Sequence, residues 1–315
     1  MAGDATQDRF LGAILGMAIG DAFGMPVQGL SPATIQDFHG SIVDFLPRTF
    51  ANGDLVGAGE ITDDTELALC IIESITVGEG VVDVENIGIR MNFLARSDSQ
   101  RWMSAEVREA LDGASEDAEY RLPLRDDAPA GPDILSRGIP IGLMHSLGPL
   151  DNAKLRSEVD ALTRITHASP LALSLVEAVA RAVSHAARQS VELGALRSMV
   201  AAELPDGAIR LALGGEEEQG QAAPIRVLLE ALGIVASADA FDGALQQAVM
   251  MGGAADTRAA LVGALFGGYH GSAVIPQRLI DGLEARIYVS LAVPWFYRTV
   301  ARRSGRALDL RLDRG

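Results

Sequence analysis

The 315-residue chain contains a single cysteine, Cys70, so it can form no intrachain disulfide. This suits a reducing compartment, and a cytoplasmic protein is expected. Histidine is also scarce: five are present, none at zinc-ligand spacing from another, which argues against a zinc site. Aromatic residues make up only 5%. The apolar mass is Ala, Leu, Gly and Ile, and side chains that small suit close-packed helices better than a β-sandwich. Basic residues are in deficit, 26 Lys and Arg against 42 Asp and Glu, for a formal charge of −16. Such a surface repels polyanions, so nucleic acid is not an expected partner. The densest basic cluster, Arg302-Arg303-Ser304-Gly305-Arg306, reads as solvated. An uncharged membrane span is lacking as well. The apolar stretch from Phe10 to Val27 is interrupted by Asp21, and Asp4 and Asp8 against Arg9 give the wrong charge for a secretion signal. A buried core helix is expected there, with no membrane partner.

The sequence does contain helical periodicity almost throughout. Leu67, Ile71, Ile72 and Ile75 share one helical face, as do Leu173, Val176, Ala180 and Val183. Leu228, Leu229, Leu232 and Val235 repeat the pattern, and so do Leu261, Ala264, Leu265 and Gly268. Alternating strands are rare; Ser41 to Leu46 is at best a short one. Pro123, Pro129, Pro132 and Pro140 mark a loop-rich stretch, and Glu216 to Gly220 reads as a polar loop. No linker divides the chain, which is read as one all-α domain over 1–315.

Gly12, Gly16, Gly20 and Gly24 are spaced four apart, as are Gly263, Gly267 and Gly271. On helices these form bare stripes. Each glycine costs about 1 kcal/mol of helix stability, so the stripes imply close approach of another backbone. If the two helices pack on each other, they bring Asp21 and Asp256 toward one centre. Packing alone explains the stripes equally well.

Two carboxylate clusters open apolar helical runs. One aspartate or threonine ahead of a helix is an ordinary cap. The run Thr62-Asp63-Asp64-Thr65 exceeds that need, since two adjacent carboxylates repel unless a cation lies between them. Gly252-Gly253-Ala254-Ala255-Asp256-Thr257 repeats the arrangement near the other end. Oxygen-only donors point to a hard ion, Mg2+ or Mn2+.

Together, Asp8 to Gln28, Ile61 to Leu69, Ile165 to Pro170 and Met251 to Gly271 resemble the ADP-ribosylglycohydrolase family, which includes the dinitrogenase-reductase-activating glycohydrolases. The resemblance covers nearly the whole chain. Thr62-Asp63-Asp64-Thr65 is its most specific motif, and Thr166-His167 and Gly253…Asp256-Thr257 match two others. It implies an orthogonal helical bundle, two divalent ions close together, Mg2+ or Mn2+, and hydrolysis of a glycosidic bond to ADP-ribose on a small-molecule or ADP-ribosylated substrate. Carried over, Thr62, Asp63, Asp64, Asp256 and Thr257 are metal ligands, with Asp64 and Asp256 orienting the attacking water. Asp21, Gln28, Arg137 and His167 fall on the substrate side, and Gly252 and Gly253 approach it by backbone.

Three departures from the family pattern fall around this site. Ala254 replaces an aspartate and Gln28 a glutamate. Glutamine keeps an acceptor but cannot act as a base. The run Gly131-Pro132-Asp133-Ile134-Leu135-Ser136-Arg137 replaces Gly-Asn-Gly-x-x-Met-Arg, keeping the first glycine and the arginine. The expectation is a divergent glycosidic hydrolase with a site reduced to one or two ions. A catalytically silent binding or structural protein on the same scaffold is the alternative. A lyase or transferase using Asp133 and Ser136 is the remotest reading, since both suit ordinary loop positions.

Overall fold

A computed structural model describes residues 5–112, 130–204 and 222–306. The elements run α1 (Ala5–Gly24), α2 (Pro32–His39), a two-stranded ribbon β1 (Arg48–Thr49) and β2 (Leu55–Val56), α3 (Asp63–Val77), α4 (Val84–Ala95) and α5 (Ala105–Asp112). A 3-10 turn, Pro132–Arg137, leads into α6 (Gly138–Met144), α7 (Asn152–Thr163), α8 (Pro170–Arg188) and α9 (Leu193–Glu203). Then follow α10 (Ala222–Ser237), α11 (Phe241–Met250), α12 (Ala255–His270), α13 (Gln277–Gly282) and α14 (Arg286–Arg303). The architecture is all-α, as the small-residue composition leads one to expect.

The glycine stripes build its centre. Helices α1 and α12 lie antiparallel, pairing Gly12 with Gly267, Gly16 with Gly263, Gly20 with Ala259 and Gly24 with Ala255. A Cβ on Gly16 would stand 2.1 Å from the Gly263 carbonyl oxygen. That contact is closer than any side chain allows, so the two backbones touch. The antiparallel pairing sets the C-terminal turn of α1 beside the N-terminal turn of α12, bringing Asp21 near Asp256. Gly16→Ala is therefore expected to lose at least about 2–3 kcal/mol of stability, read from urea unfolding. A change below about 0.5 kcal/mol would mean that the pair can separate without loss.

Helix α1 with its 3-10 extension to Val27 is long and apolar enough to cross a membrane, yet 94% of its most apolar window is buried inside the protein. It is the core helix the sequence suggests. Cys70 is buried on α3, and burial pushes its thiol up to about 12, so it packs as a small apolar group.

Four expectations are corrected. Residues 41–46 form no strand; the ribbon lies just beyond them, closed by a turn in which Phe50 N donates to the Asp54 carbonyl and Gly53 adopts φ 93°. Arg48 anchors it by donating to the carbonyls of Pro26 and Gln28. From residue 132 the proline-marked stretch is helical, because Pro132 starts a 3-10 turn, where the missing N–H costs nothing. Pro123, Pro129 and Glu216 to Gly220 lie outside the described residues. Arg303 is not a free surface cation: it donates to Glu158 at 2.6 Å, and Glu158 also binds His145. Leu173 is half-buried rather than part of the buried face of α8.

Candidate metal and substrate centre

The site is assembled at the meeting of α1, α3 and α12. Thr62 precedes α3 in extended conformation, and its side chain makes no capping bond to the helix. Its hydroxyl donates instead to Asp21 Oδ1 at 2.7 Å, and its amide donates to Asp21 Oδ2 at 2.9 Å. Thr65 Oγ1 donates to the same Oδ2 at 2.5 Å. Asp21 is fully buried and spends both oxygens on this job, so it positions the motif from behind rather than meeting a substrate. With its proton turned toward Asp21, Thr62 Oγ1 presents only lone pairs elsewhere, the state a neutral metal ligand requires.

Asp63 and Asp64 follow in the first turn of α3, 6% and 2% exposed. Asp64 Oδ2 accepts from Thr257 Oγ1 at 2.7 Å, which ties α3 to α12. Its Oδ1 is buried without a hydrogen-bond partner. Asp256, 4% exposed, accepts the Thr257 amide at 2.8 Å. The cap reading of the first motif therefore fails, because Thr62 and Asp64 bind across helices instead of their own helix end; in the second, Asp256 accepts an amide of its own first turn while the Thr257 hydroxyl crosses to Asp64.

These carboxylates are costly as they stand. Burial raises Asp63 and Asp64 well above the usual carboxylate range, and their mutual repulsion and that of Asp256, Asp21 and Asp133 add to it. Burial, then Asp21, lifts Asp256 to about 7. Burial also raises Asp21, and the bonds from Thr65 and Thr62 pull it back. A buried anion without a partner is stabilised by a proton or a cation.

Arg137 closes the site from the 3-10 turn. It is fully buried, donates through Nη1 to Thr166 Oγ1, and among the described residues leaves Nε and Nη2 without partners. Burial lowers its pKa, opposed by Asp133, Asp63 and Asp64. His167, 1% exposed, places Nδ1 3.0 Å from the same Thr166 hydroxyl. The threonine-histidine element thus holds Arg137.

The glycine turn works differently from expectation. Gly252 and Gly253 adopt φ 65° and 60°, but their amides donate to Val249 and Leu30 inside the protein. Gly29 N returns a bond to the Gly253 carbonyl, which sets half-buried Gln28 beside this turn. The turn is clamped by Arg258, whose Nη1 donates to the Ala248 and Gly252 carbonyls and whose Nε pairs with Glu230. Sequence reasoning missed Arg258, although a charge inside an apolar helical run was a usable signal. It also undervalued Asp133, which is held by Ser104 at 3.0 Å in electrostatic reach of all three motif carboxylates.

Among the described residues, no three acidic, histidine or cysteine side chains stand close enough together to hold an ion alone. The donor chemistry nevertheless fits a hard cation. It offers an unpartnered Asp64 oxygen, further buried carboxylates, and two threonine hydroxyls whose protons are directed away. Magnesium commonly takes one or two carboxylates and keeps several waters. A cavity of about 340 Å³ lies beside the motif, lined by Ile61, Glu66, Arg101 and Trp102 but not by the motif aspartates.

The model of the ADP-ribosylglycohydrolase family matches residues 2–307. The chain belongs to this family. A solved structure titled as an ADP-ribosylglycohydrolase-related protein complex superposes with a TM-score of 0.76 at 28% identity, covering 94% of this chain and 99% of the other. An uncharacterized protein of Archaeoglobus fulgidus is 30% identical over 300 residues, 90% of this chain and 94% of that one. The ADP-ribosyl-[dinitrogen reductase] glycohydrolase of Rhodospirillum rubrum is 29% identical over 299 residues, 91% of this chain and 94% of that enzyme.

Proposed function

We propose that this protein is a cytoplasmic, metal-assisted hydrolase of a glycosidic bond to ADP-ribose or to a smaller riboside. The observation that carries this reading is an Asp64 oxygen open among the described residues, in electrostatic reach of a buried Arg137 whose Nε and Nη2 are open as well. Buried donors and acceptors left open are stabilised by a ligand that completes them. Thr62, Asp63, Asp64, Asp256 and Thr257 would hold one divalent ion, Mg2+ or Mn2+. When bound, it supplies a Lewis acid for the ribose hydroxyls and the attacking water.

The remaining work belongs to the chain. Arg137 donates Nε and Nη2 to ligand oxygens. Asp64 Oδ1 accepts a proton from a water or hydroxyl held against it. Asp256, lifted to about 7 without a cation, would give up that proton on binding one and orient the attacking water as a carboxylate. Asp21 keeps Thr62 and Thr65 in place. Asp133 restores part of the negative charge that Ala254 and Gln28 remove.

The test is release of free ADP-ribose from ADP-ribosyl-arginine with Mg2+ or Mn2+, comparing wild type with Gln28→Glu/Ala254→Asp. Wild-type turnover that EDTA abolishes is expected, with tighter Mn2+ binding in the double variant. Silence of both proteins would remove ADP-ribosyl-arginine as the substrate. Wild-type turnover unaffected by EDTA would remove the metal.

A further inference from the structure

A second cavity, of about 360 Å³, lies where α1 begins and α6 and α8 end. Arg9, Arg188 and Arg306 line it, with Ser146, Gly148 and Ser304, and among the described residues no acidic one is in its lining. In a chain with 42 acidic residues and 26 basic ones, three arginines around one cavity with no acid among its described lining run against the composition as a whole. The nearby acids are committed elsewhere. Asp8 accepts from Ser272, and Glu158 binds Arg303 and His145.

Helix-end electrostatics account for only part of this charge. Arg188 lies in the last turn of α8, where a cation offsets the exposed carbonyls, and its Nη1 reaches the His145 carbonyl at 3.4 Å. Arg9 stands near the start of α1, the helix end that favours anions instead. It is braced there, Nη1 donating to Gln189 Oε1 at 2.7 Å and Nη2 facing Thr6 Oγ1 at 3.4 Å. Its Nε is buried without a partner among the described residues.

We propose that this cavity binds a small phosphate-bearing anion. Guanidinium groups match the several oxygens of a phosphate bidentately, and three of them neutralise a charge of two or three. The volume is at the lower end of small-ligand sites, which limits the ligand to roughly the size of a phosphorylated small metabolite. The cavity is separate from the acid centre. Arg9 and Asp21 lie twelve residues apart on one helix, roughly 18 Å.

Pyrophosphate titrated by calorimetry into the full-length protein tests this, in EDTA so that no metal-bridged binding at the acid centre contributes. Sodium chloride at matched ionic strength is the control. One saturable site is expected, with affinity falling at least about tenfold in Arg9→Gln and in Arg188→Gln. Arg306→Gln, exposed and not part of the core, is the variant whose folding is not in question, and it should weaken binding as well. No saturable binding to wild type would overturn the proposal, as would affinity unchanged in all three variants.

Discussion

Asp64→Asn is expected to lower glycohydrolase turnover by at least about 100-fold and to abolish Mn2+ binding, while the metal-free protein becomes more stable at pH 8. The two effects share one cause. Asp64 is almost fully buried, its Oδ2 is satisfied by Thr257 and its Oδ1 by nothing among the described residues. Removing its charge takes away the oxygen most open to a cation. Loss of groups that merely support metal ligands already costs about 10- to 100-fold. The amide keeps the shape and the Thr257 bond, yet relieves repulsion among carboxylates that burial already strains. Urea unfolding in EDTA, beside an activity assay with Mn2+, reads both sides. Wild-type activity in Asp64→Asn would remove Asp64 from the chemistry, and lower metal-free stability would show that its charge is already compensated inside the fold.

The second large effect is on pH. The metal-free protein should lose stability as pH rises from about 4 through 7 and beyond. The sign follows from proton counts. Asp256 releases its proton near 3.8 when unfolded and at about 7 when folded. Between those values the folded state holds more protons, so raising the pH favours unfolding. Asp63 and Asp64, both raised well above 3.8, act in the same direction and extend the loss upward. One pKa unit corresponds to about 1.4 kcal/mol, so the loss is on the order of a few kcal/mol. Magnesium should flatten the curve by replacing the protons; at one hundred times its Kd it restores about 2.7 kcal/mol. Urea midpoints at pH 5 and pH 8, in EDTA and in Mg2+, check this. A midpoint in EDTA that is higher at pH 8 than at pH 5 would contradict the buried-carboxylate account.

The sequence by itself determined the helical class, the core helix α1 and the two carboxylate motifs. These depend on local properties: 3.6-residue periodicity, and residues whose chemistry exceeds what a helix end needs. It also contained the α1–α12 contact in outline, because bare glycine stripes have few physical explanations. What only the tertiary structure decided is which atoms remain open. Asp21 belonged with the substrate-side residues in the sequence, but three hydrogen bonds from Thr62 and Thr65 occupy both its oxygens. Gly252 and Gly253 offered backbone donors, until the turn at Leu30 and the Arg258 clamp absorbed that segment's polar groups. Asp133 resembled a loop residue until the 3-10 turn carried it to the acid centre. The basic cavity could not be read at all, since Arg9, Arg188 and Arg306 come from three distant segments. Satisfaction and charge convergence depend on neighbours far apart in the chain. Periodicity and motif spacing record only what lies close along it.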